Sequence, residues 1–161
     1  MVLTRMADAE WPDLAGRIEA DIHVLPVRVY FEDTDFTGLV YHANFLKFAE
    51  RGRSDFIRLL GIHHHSLAHP DHGEPAVFVV RRIEVDYLRP ARIDEVLEVV
   101  TLCTDVGGAS LTLSQEIRRE ETVLARLRVV VVLVSIDGKP QRIGDLIRGA
   151  LQRFVNHQRE T

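Results

Sequence analysis

Three carboxylates stand within four residues, at Glu32, Asp33 and Asp35, directly ahead of an apolar and aromatic run. The full stretch reads YFEDTDFTGLVYHANF and extends from Tyr30 to Phe45. Acids in such a place can serve as turn or capping residues only, because Asp readily accepts hydrogen bonds from nearby backbone amides. A carboxylate beside an apolar pocket can instead act as a general base or as a nucleophile. The residues by themselves leave both roles open.

A second group with potential chemistry is a cluster of histidines, His63, His64, His65, His69 and His72. Imidazole is a ligand of zinc, copper and nickel, so the spacing alone permits a metal site. No cysteine accompanies these histidines in the sequence, and Pro70 would interrupt a helix that aligned His65 with His69. We therefore expect a solvated loop beside the pocket, and neither a metal ion nor another cofactor.

Hydrophobic periodicity predicts the elements that must position these groups. The segment 23–31 alternates and is rich in β-branched and aromatic residues, which predicts a strand. From 43 to 60 apolar residues recur at intervals of three and four, which predicts a long amphipathic helix. Gly52 lies in the middle of that helix, where a missing side chain suits close approach to a sheet. Further strands are predicted at 76–88, 95–104, 109–118 and 122–136, followed by a last helix at 143–154.

This order of elements predicts an α+β domain in which one antiparallel sheet packs on the long helix. A single curled sheet leaves an edge unpaired, so the domain is expected to associate with another copy through that edge. The chain of 161 residues has the size of one domain, which we place at 23–161 behind an N-terminal arm at 1–22.

Composition excludes several classes of protein. The formal net charge of −4 argues against general nucleic-acid binding, which requires a basic surface. A single cysteine, Cys103, excludes an intrachain disulfide framework and is typical of a reducing compartment. The N-terminal residues lack the uninterrupted apolar segment of a secretory signal, and the longest apolar run, 129–134, is too short for a transmembrane segment. These features predict a cytoplasmic protein.

The stretch YFEDTDFTGLVYHANFLKFAERGRSDFIRLLGI resembles the hot-dog-fold thioesterases of the 4-hydroxybenzoyl-CoA thioesterase type. The resemblance is strongest to the tol-pal system-associated acyl-CoA thioesterases (YbgC-type), whose motif reads roughly aromatic-x-D-T-D-x-x-G-x-V-Y-H-x-x-aromatic, then E-R-x-R. The residues at those places are Asp33, Thr34, Asp35, Gly38, Val40, Tyr41, His42, Phe45, Glu50, Arg51 and Arg53. A second segment, VDYLRPARIDEVLEVVT, is similar to a Y-x-x-P-A-x-x-D pattern of the same family.

The resemblance implies a five-stranded antiparallel sheet wrapped around a long central helix, in subunits that join as homodimers or homotetramers. It implies hydrolysis of the thioester bond of acyl-CoA at a site between subunits, without a cofactor. Asp35 would be the catalytic carboxylate, and the backbone N–H of His42 would polarise the thioester carbonyl. Gly38, Val40 and Tyr41 belong to the same motif and would form part of the substrate site.

Elementary chemistry agrees with these roles. The first N–H groups of a helix lack intrahelical partners and carry the positive end of its dipole, which suits a developing oxyanion. Nothing in the sequence chooses between nucleophilic attack and general-base catalysis for Asp35. Because CoA is polyanionic and the chain is acidic, local cations must bind its phosphates, and Arg89 and Arg92 are the candidates.

One departure from the family pattern is the residue four positions before Asp35, which is Phe31 where the family carries a tyrosine. Tyr30 is adjacent, but strand alternation would point the two side chains to opposite faces. Glu50 is a second candidate acid. The alternative functions are an acyl-carrier-protein thioesterase, a hot-dog dehydratase, or a non-catalytic module that holds acyl-carrier protein at the inner membrane.

Overall fold

The structure is a computed structural model that describes residues 14–71 and 73–160, with side chains described as far as residue 155. Most of the predicted N-terminal arm, including Trp11, lies outside these residues. Among the described residues, no helix combines the length and the apolar character needed to cross a bilayer.

Six strands and three helices make up the described chain. The strands are β1 (Arg17–Glu19), β2 (Ile22–Arg28), β3 (Ala76–Tyr87), β4 (Val96–Val106), β5 (Ser110–Arg119) and β6 (Thr122–Ser135). The helices are α1 (His42–Leu59), α2 (His64–Ala68) and α3 (Asp145–Glu160). The long helix and the four long strands therefore agree with the sequence prediction, and the sheet gains the short strand β1 within the segment predicted as an arm. Only β4, β5 and β6 follow one another as a meander, because β3 pairs with β6 and not with β4.

All strand pairs are antiparallel, in the order β1-β2-β4-β5-β6-β3. Alternating residues of β5 are buried, as the sequence pattern predicts, because only one face of the sheet meets the core. β3 occupies one edge, where Val79 and Val80 are 40% and 46% exposed. Its outer side pairs with no strand among the described residues, so this edge offers backbone hydrogen-bonding groups to another chain.

Helix α1 lies on the inner face of the sheet with its aromatic side buried. Phe45, Phe48 and Phe56 are each at most 3% exposed. A Cβ added to Gly52 would lie 2.5 Å from Cγ1 of Val99 on β4, which confirms that this glycine permits close approach of helix and sheet. α3 covers the remaining side of the core, where the rings of Phe154 and Phe56 meet at 5.3 Å.

A buried polar network joins α1 to the sheet behind Gly52. The side chain of Gln115 on β5 is fully buried, and its amide nitrogen donates to the Ala49 carbonyl and to Thr101 Oγ1, both at 2.9 Å. Its amide oxygen accepts a hydrogen bond from Arg53 Nη1 at 3.0 Å. All the hydrogen-bonding capacity of the Gln115 amide nitrogen is thus used within the core.

A second buried polar contact joins β2 to α1. His23 is fully buried, and its Nε2 lies 2.7 Å from Oδ2 of Asp55, whose other oxygen pairs with Arg58. Within the described part of the chain, its Nδ1 is buried without a hydrogen-bond partner. Burial lowers the pKa of His23, and the hydrogen bond to Asp55 offsets this only in part. The histidine is therefore neutral in the folded protein at neutral pH.

Candidate active site

The strand predicted at 23–31 ends earlier in the structure, and the turn that follows it shapes the site. β2 stops at Arg28, and Phe31–Asp33 forms a short 3₁₀ turn in which the Asp33 amide donates to the Tyr30 carbonyl at 3.0 Å. The strand prediction failed here because the Asp33 carboxylate accepts a hydrogen bond from the Tyr30 amide at 2.8 Å, which stabilises a turn.

Asp33 holds the beginning of α1 in place. It is only 5% exposed, and its carbonyl accepts hydrogen bonds from the Tyr41 amide at 2.9 Å and from Asn44 Nδ2 at 2.8 Å. The side chain and the backbone of Asp33 are both engaged, so this residue has a structural role.

Asp35 stands at the start of a tight loop that returns to the helix. The Gly38 amide donates to the Asp35 carbonyl at 3.0 Å, and the Asp35 amide donates to the Leu39 carbonyl at 2.9 Å. Gly38 has φ +80°, a left-handed conformation that favours glycine. Gly38 therefore shapes the loop, as the sequence predicts.

The Asp35 carboxylate is exposed to solvent and ionised. One of its oxygens accepts hydrogen bonds from the Thr37 hydroxyl and, at 2.8 Å, from the Thr37 amide. These two hydrogen bonds lower the pKa of Asp35 below its ordinary value. The other carboxylate oxygen, Oδ2, accepts no hydrogen bond from the described residues, so it is available to a ligand.

Helix α1 begins at His42, so the helix start falls where the sequence places it. The Asn44 amide donates to the Tyr41 carbonyl at 2.8 Å, but the amides of His42 and Ala43 donate to no acceptor within the described residues. Free N–H groups at the positive end of an 18-residue helix favour a negatively charged oxygen.

A groove with a volume of about 370 Å³ brings these groups together. Its walls are Asp35, Leu39, Val40, His42, Phe45 and the segment 87–90. Of the predicted site residues, Asp35, Val40, His42 and Arg89 line this groove. The groove combines one carboxylate, the first residue of α1 with its free amide, and one arginine with walls that are mainly apolar.

Three predicted substrate-binding residues do not line the groove. Gly38 acts through the shape of the loop, and the exposed ring of Tyr41 packs at a tilt against the ring of His42, with 4.5 Å between the ring centroids. Arg92 bridges Leu39 through its backbone, and its exposed side chain lies outside the groove. Tyr30 and Phe31 are also exposed and outside the groove, so neither stands in for the family tyrosine here.

Tyr87 is a groove residue that the sequence analysis did not assign. Its hydroxyl donates to the His42 carbonyl at 3.0 Å, and its ring packs edge-on against His42 and Phe45. Burial raises the pKa of this phenol, so it remains a donor. The sequence did contain a signal for this residue. Tyr87 belongs to the VDYLRPARID segment that resembles the family pattern, and the tyrosine and the proline of that segment, Pro90, both line the groove.

A smaller cavity of about 170 Å³ lies farther along α1 and is called the Arg53 pocket. Its polar lining residues are Glu50, Arg53, Ser54 and His64, and its other walls are apolar side chains of α1, β3, β5 and β6. Glu50, the second candidate acid, lies here and not in the groove, and it accepts a hydrogen bond from Ser54 Oγ.

The histidine segment is a short helix where the sequence predicts a loop. The rings of His65 and His69 stack at 4.7 Å, so Pro70 ends this helix without separating them. His64 packs edge-on against Phe78. His72 lies outside the described residues, and among those that are described no group of three metal-binding side chains is gathered.

Comparison with known proteins adds the family context. A family model described as the thioesterase superfamily matches residues 37–126, a span that contains His42 and all of α1 and begins two residues after Asp35. The chain is 44% identical over 111 residues to the acyl-CoA thioester hydrolase YbgC of Escherichia coli O157:H7, which covers 68% of this chain and 80% of that protein.

Two further similarities extend the comparison. The acyl-CoA thioesterase YbgC of Haemophilus influenzae is 37% identical over 111 residues, covering 69% of this chain and 79% of the relative. The solved structure of a probable thioesterase from Bartonella henselae superposes with a TM-score of 0.74 at 41% identity, covering 76% of this chain and 99% of that one.

Proposed function

Since this chain belongs to the thioesterase superfamily, we propose that it hydrolyses the thioester bond of acyl-CoA in the groove beside Asp35. Its antiparallel sheet around a long helix is the hot-dog architecture that the sequence predicted. The observation that carries the proposal is the meeting of one free carboxylate and the free amides of a helix start in a single groove.

The helix start supplies the electrostatic part of the reaction. The thioester carbonyl oxygen becomes negatively charged when a nucleophile adds to the carbonyl carbon. The His42 amide, unpaired in the described structure and at the positive helix end, is placed to donate to that oxygen. One such donor typically contributes roughly 3–4 kcal/mol to transition-state stabilisation.

Asp35 supplies the nucleophilic part of the reaction by one of two routes. As a base it takes a proton from the water that attacks the carbonyl, and the CoA thiolate then leaves. As a nucleophile it forms a mixed anhydride while the thiolate leaves, and water then cleaves the anhydride to release the carboxylic acid. Both routes require the ionised carboxylate, which the hydrogen bonds from Thr37 support.

Arg89 is the cation proposed to meet CoA. It lines the groove beside the carboxylate loop and is exposed, so a bound phosphate would remain partly hydrated. Arg92 lies near the same loop but outside the groove, and it would act only on a part of CoA that extends beyond the groove walls. Charge-assisted hydrogen bonds to phosphate favour arginine over lysine at such sites.

Assembly through the β3 edge completes this proposal. The long edge strand has exposed valines and unpaired backbone groups, which favours antiparallel pairing with the β3 strand of a second copy. A homodimer is the smallest assembly that covers this edge, and a homotetramer would add a second interface.

The resemblance to tol-pal-associated thioesterases supports a location in the cytoplasm, with peripheral contact to the inner membrane. Acyl-carrier protein is the second thioester carrier that such a location would offer. The proposed reaction depends neither on this location nor on acyl-carrier protein, because it requires only the thioester and the groove.

Release of free thiol from a panel of acyl-CoA esters tests the function directly. The panel should span short to long aliphatic chains and benzoyl esters, and the same acyl groups should be offered on acyl-carrier protein. Turnover of a CoA ester supports the proposal. Faster turnover on the carrier protein would reassign the substrate, and absence of turnover on both would favour a binding module.

A further inference from the structure

Arg53 is a buried cation that the chemistry of the groove does not use. It is 8% exposed, and among the described residues its guanidinium donates only to the amide oxygen of Gln115. A guanidinium has five N–H donors, so most of its hydrogen-bonding capacity faces the Arg53 pocket. None of the Arg53 nitrogens is both fully buried and unpaired, so those that do not bind Gln115 are open to an acceptor that enters the pocket.

The remaining walls of the Arg53 pocket suit a short carbon chain. Phe78, Leu111 and Leu113 are among its apolar lining residues. A cavity of about 150 Å³ can hold one benzene molecule, so a pocket of about 170 Å³ holds roughly four to six carbon atoms. The pocket therefore offers an apolar channel that ends at a cation.

Glu50 offsets the charge of Arg53 only in part, because burial lowers the pKa of Arg53 more than the charge of Glu50 raises it. Its carboxylate accepts a hydrogen bond from Ser54 and lies on an exposed residue at the rim, where water screens it. Arg53 lies inside, where screening is weaker. His64, the remaining titratable group of the pocket, adds positive charge or none.

Within one chain the pocket is distant from the groove. His42 and Arg53 are eleven positions apart on α1, which corresponds to about 16 Å along the helix axis. Pairing of two β3 strands changes this relation, because a strand that runs antiparallel to its own copy sets its first residues beside the last residues of that copy. Phe78 of the pocket would then lie near the partner's Tyr87, which lines the partner's groove.

We propose that the Arg53 pocket of one copy binds the far end of the acyl group held in the groove of its partner, and that Arg53 selects acyl groups ending in a carboxylate. The substrate class is the CoA thioester of a short dicarboxylic acid. Arg53 is a specificity-determining residue in this proposal, which rests on the thioesterase function and on the dimer proposed above.

The test compares matched substrates that differ only in the terminal group. Glutaryl-CoA, its terminal methyl ester and pentanoyl-CoA share a five-carbon acyl chain, and adipyl-CoA with hexanoyl-CoA gives a second pair. We expect kcat/KM for the dicarboxylic esters to exceed that for the neutral esters by roughly 10- to 100-fold, the usual effect of a charge-assisted hydrogen bond. Because this comparison uses the unaltered protein, it does not depend on the folding of a variant.

Arg53→Met and Arg53→Lys then assign the preference to its source. Arg53→Met should bring the ratio of kcat/KM for glutaryl-CoA to kcat/KM for pentanoyl-CoA close to one, and Arg53→Lys should retain part of the preference. The ratio is the readout, because loss of the buried hydrogen bond to Gln115 changes the rates of both esters together. Arg51→Met is the matched control, because Arg51 is exposed on the same helix and does not line the pocket. It should leave the preference intact.

Three results would overturn the inference, each for a different reason. If the protein turns over pentanoyl-CoA as fast as glutaryl-CoA, the carboxylate preference is absent although the thioesterase function stands. If no ester of the panel is turned over, the proposed function fails and the inference falls with it. A preference that survives in Arg53→Met would also overturn the role of Arg53.

Discussion

The two aspartates ahead of α1 meet different surroundings, although a single residue separates them. Asp33 is buried, its carboxylate accepts from the Tyr30 amide, and its carbonyl accepts from the Asn44 side chain. Asp35 is exposed, and one of its carboxylate oxygens accepts no hydrogen bond from the described residues. A stretch of sequence shows only that both are acids in a turn. Their burial depends on how the loop folds back on the helix, which is a tertiary property.

Asp35→Asn should abolish most of the activity and leave the fold intact. The amide keeps the shape and can still accept the hydrogen bonds from Thr37, but it can neither take a proton nor attack the carbonyl. Turnover should fall by roughly 10²–10⁴, or further if Asp35 is the nucleophile. Steady-state thiol release at saturating substrate measures this.

Asp33→Asn is the matched control for that variant. It should lower the free energy of unfolding and change turnover little, because the buried carboxylate that accepts from the Tyr30 amide becomes a neutral amide, while the Asp33 carbonyl keeps its contacts to the helix start. An Asp35→Asn protein with more than about a third of the original turnover would refute the assignment, since a general base contributes far more. Glu50 would then be the next acid to change.

His23 should make the stability of the protein depend on pH. Its pKa is lower in the folded than in the unfolded state, so the unfolded chain binds more protons just below the ordinary value of 6.5. The contribution of His23 to the free energy of unfolding is therefore fully present above pH 6.5. It is lost as the pH falls below that value, by at most about 1.4 kcal/mol per pH unit.

Denaturant unfolding at a fixed protein concentration between about pH 7.5 and pH 5.5 measures this effect. His23→Gln should flatten the profile, because glutamine can still donate to Asp55 but does not titrate. This pH range lies above the pKa of Asp55. Burial would raise that pKa, but the hydrogen bonds from His23 and Arg58 keep it below its ordinary value. Equal slopes in both proteins would contradict the prediction.

At the scale of elements, α1 and the sheet fit closely only because residue 52 has no side chain. Gly52→Ala should lower the free energy of unfolding by roughly 1–3 kcal/mol, since the new Cβ would overlap Val99 and press on Thr101 and Gln115. Equilibrium unfolding in urea measures the change.

Gly149→Ala in α3 serves as the matched control for Gly52→Ala. Among the described residues, no atom outside the backbone of the same helix lies within 4 Å of a Cβ built at Gly149, so alanine should stabilise this helix by up to about 1 kcal/mol. If both variants were stabilised, close approach at Gly52 would not be the reason for the glycine.

The elements differ in how far the sequence could predict them. The four strands from β3 to β6 begin and end within two residues of their predicted bounds, because turn residues such as Gly107, Gly108 and Pro140 delimit them. β1 could not be predicted, because its three residues become a strand only by pairing with β2. The 3₁₀ turn at Phe31–Asp33 depends in the same way on a side-chain contact with the backbone.

The candidate site was predictable only in part for a similar reason. Its loop and helix start are contiguous in sequence and follow a motif, whereas Tyr87 and Arg53 acquire their places by packing. The Arg53 pocket joins α1 with β3 and with the β5–β6 hairpin, which lies more than 50 residues after α1 in the chain. No local sequence pattern predicts that these elements pack around one pocket.

At the scale of the whole molecule, the unpaired edge predicts association. Light scattering of dilute protein should give a mass of at least two chains. Val79→Lys should shift the mass toward one chain, because it adds a charge to the edge strand that must pack against its copy.

Leu146→Lys is the control for this change, since Leu146 is 89% exposed on α3, which packs beside β4 with β5 and β6 between β4 and the β3 edge. It should leave the mass unaltered. A single-chain mass for the unaltered protein that is fully active would contradict the dimer, and a dimer indifferent to Val79→Lys would place the interface elsewhere.

The hydrogen bond from Tyr87 to the His42 carbonyl joins the end of the edge strand to the first residue of α1. Pairing that orders β3 should therefore also order the amides at the start of α1 that are proposed to meet the thioester. Self-association and substrate affinity then become linked equilibria, and each must strengthen the other by the same factor. Specific activity per chain should decline on dilution below the dissociation constant, and a bound acyl-CoA should lower that constant.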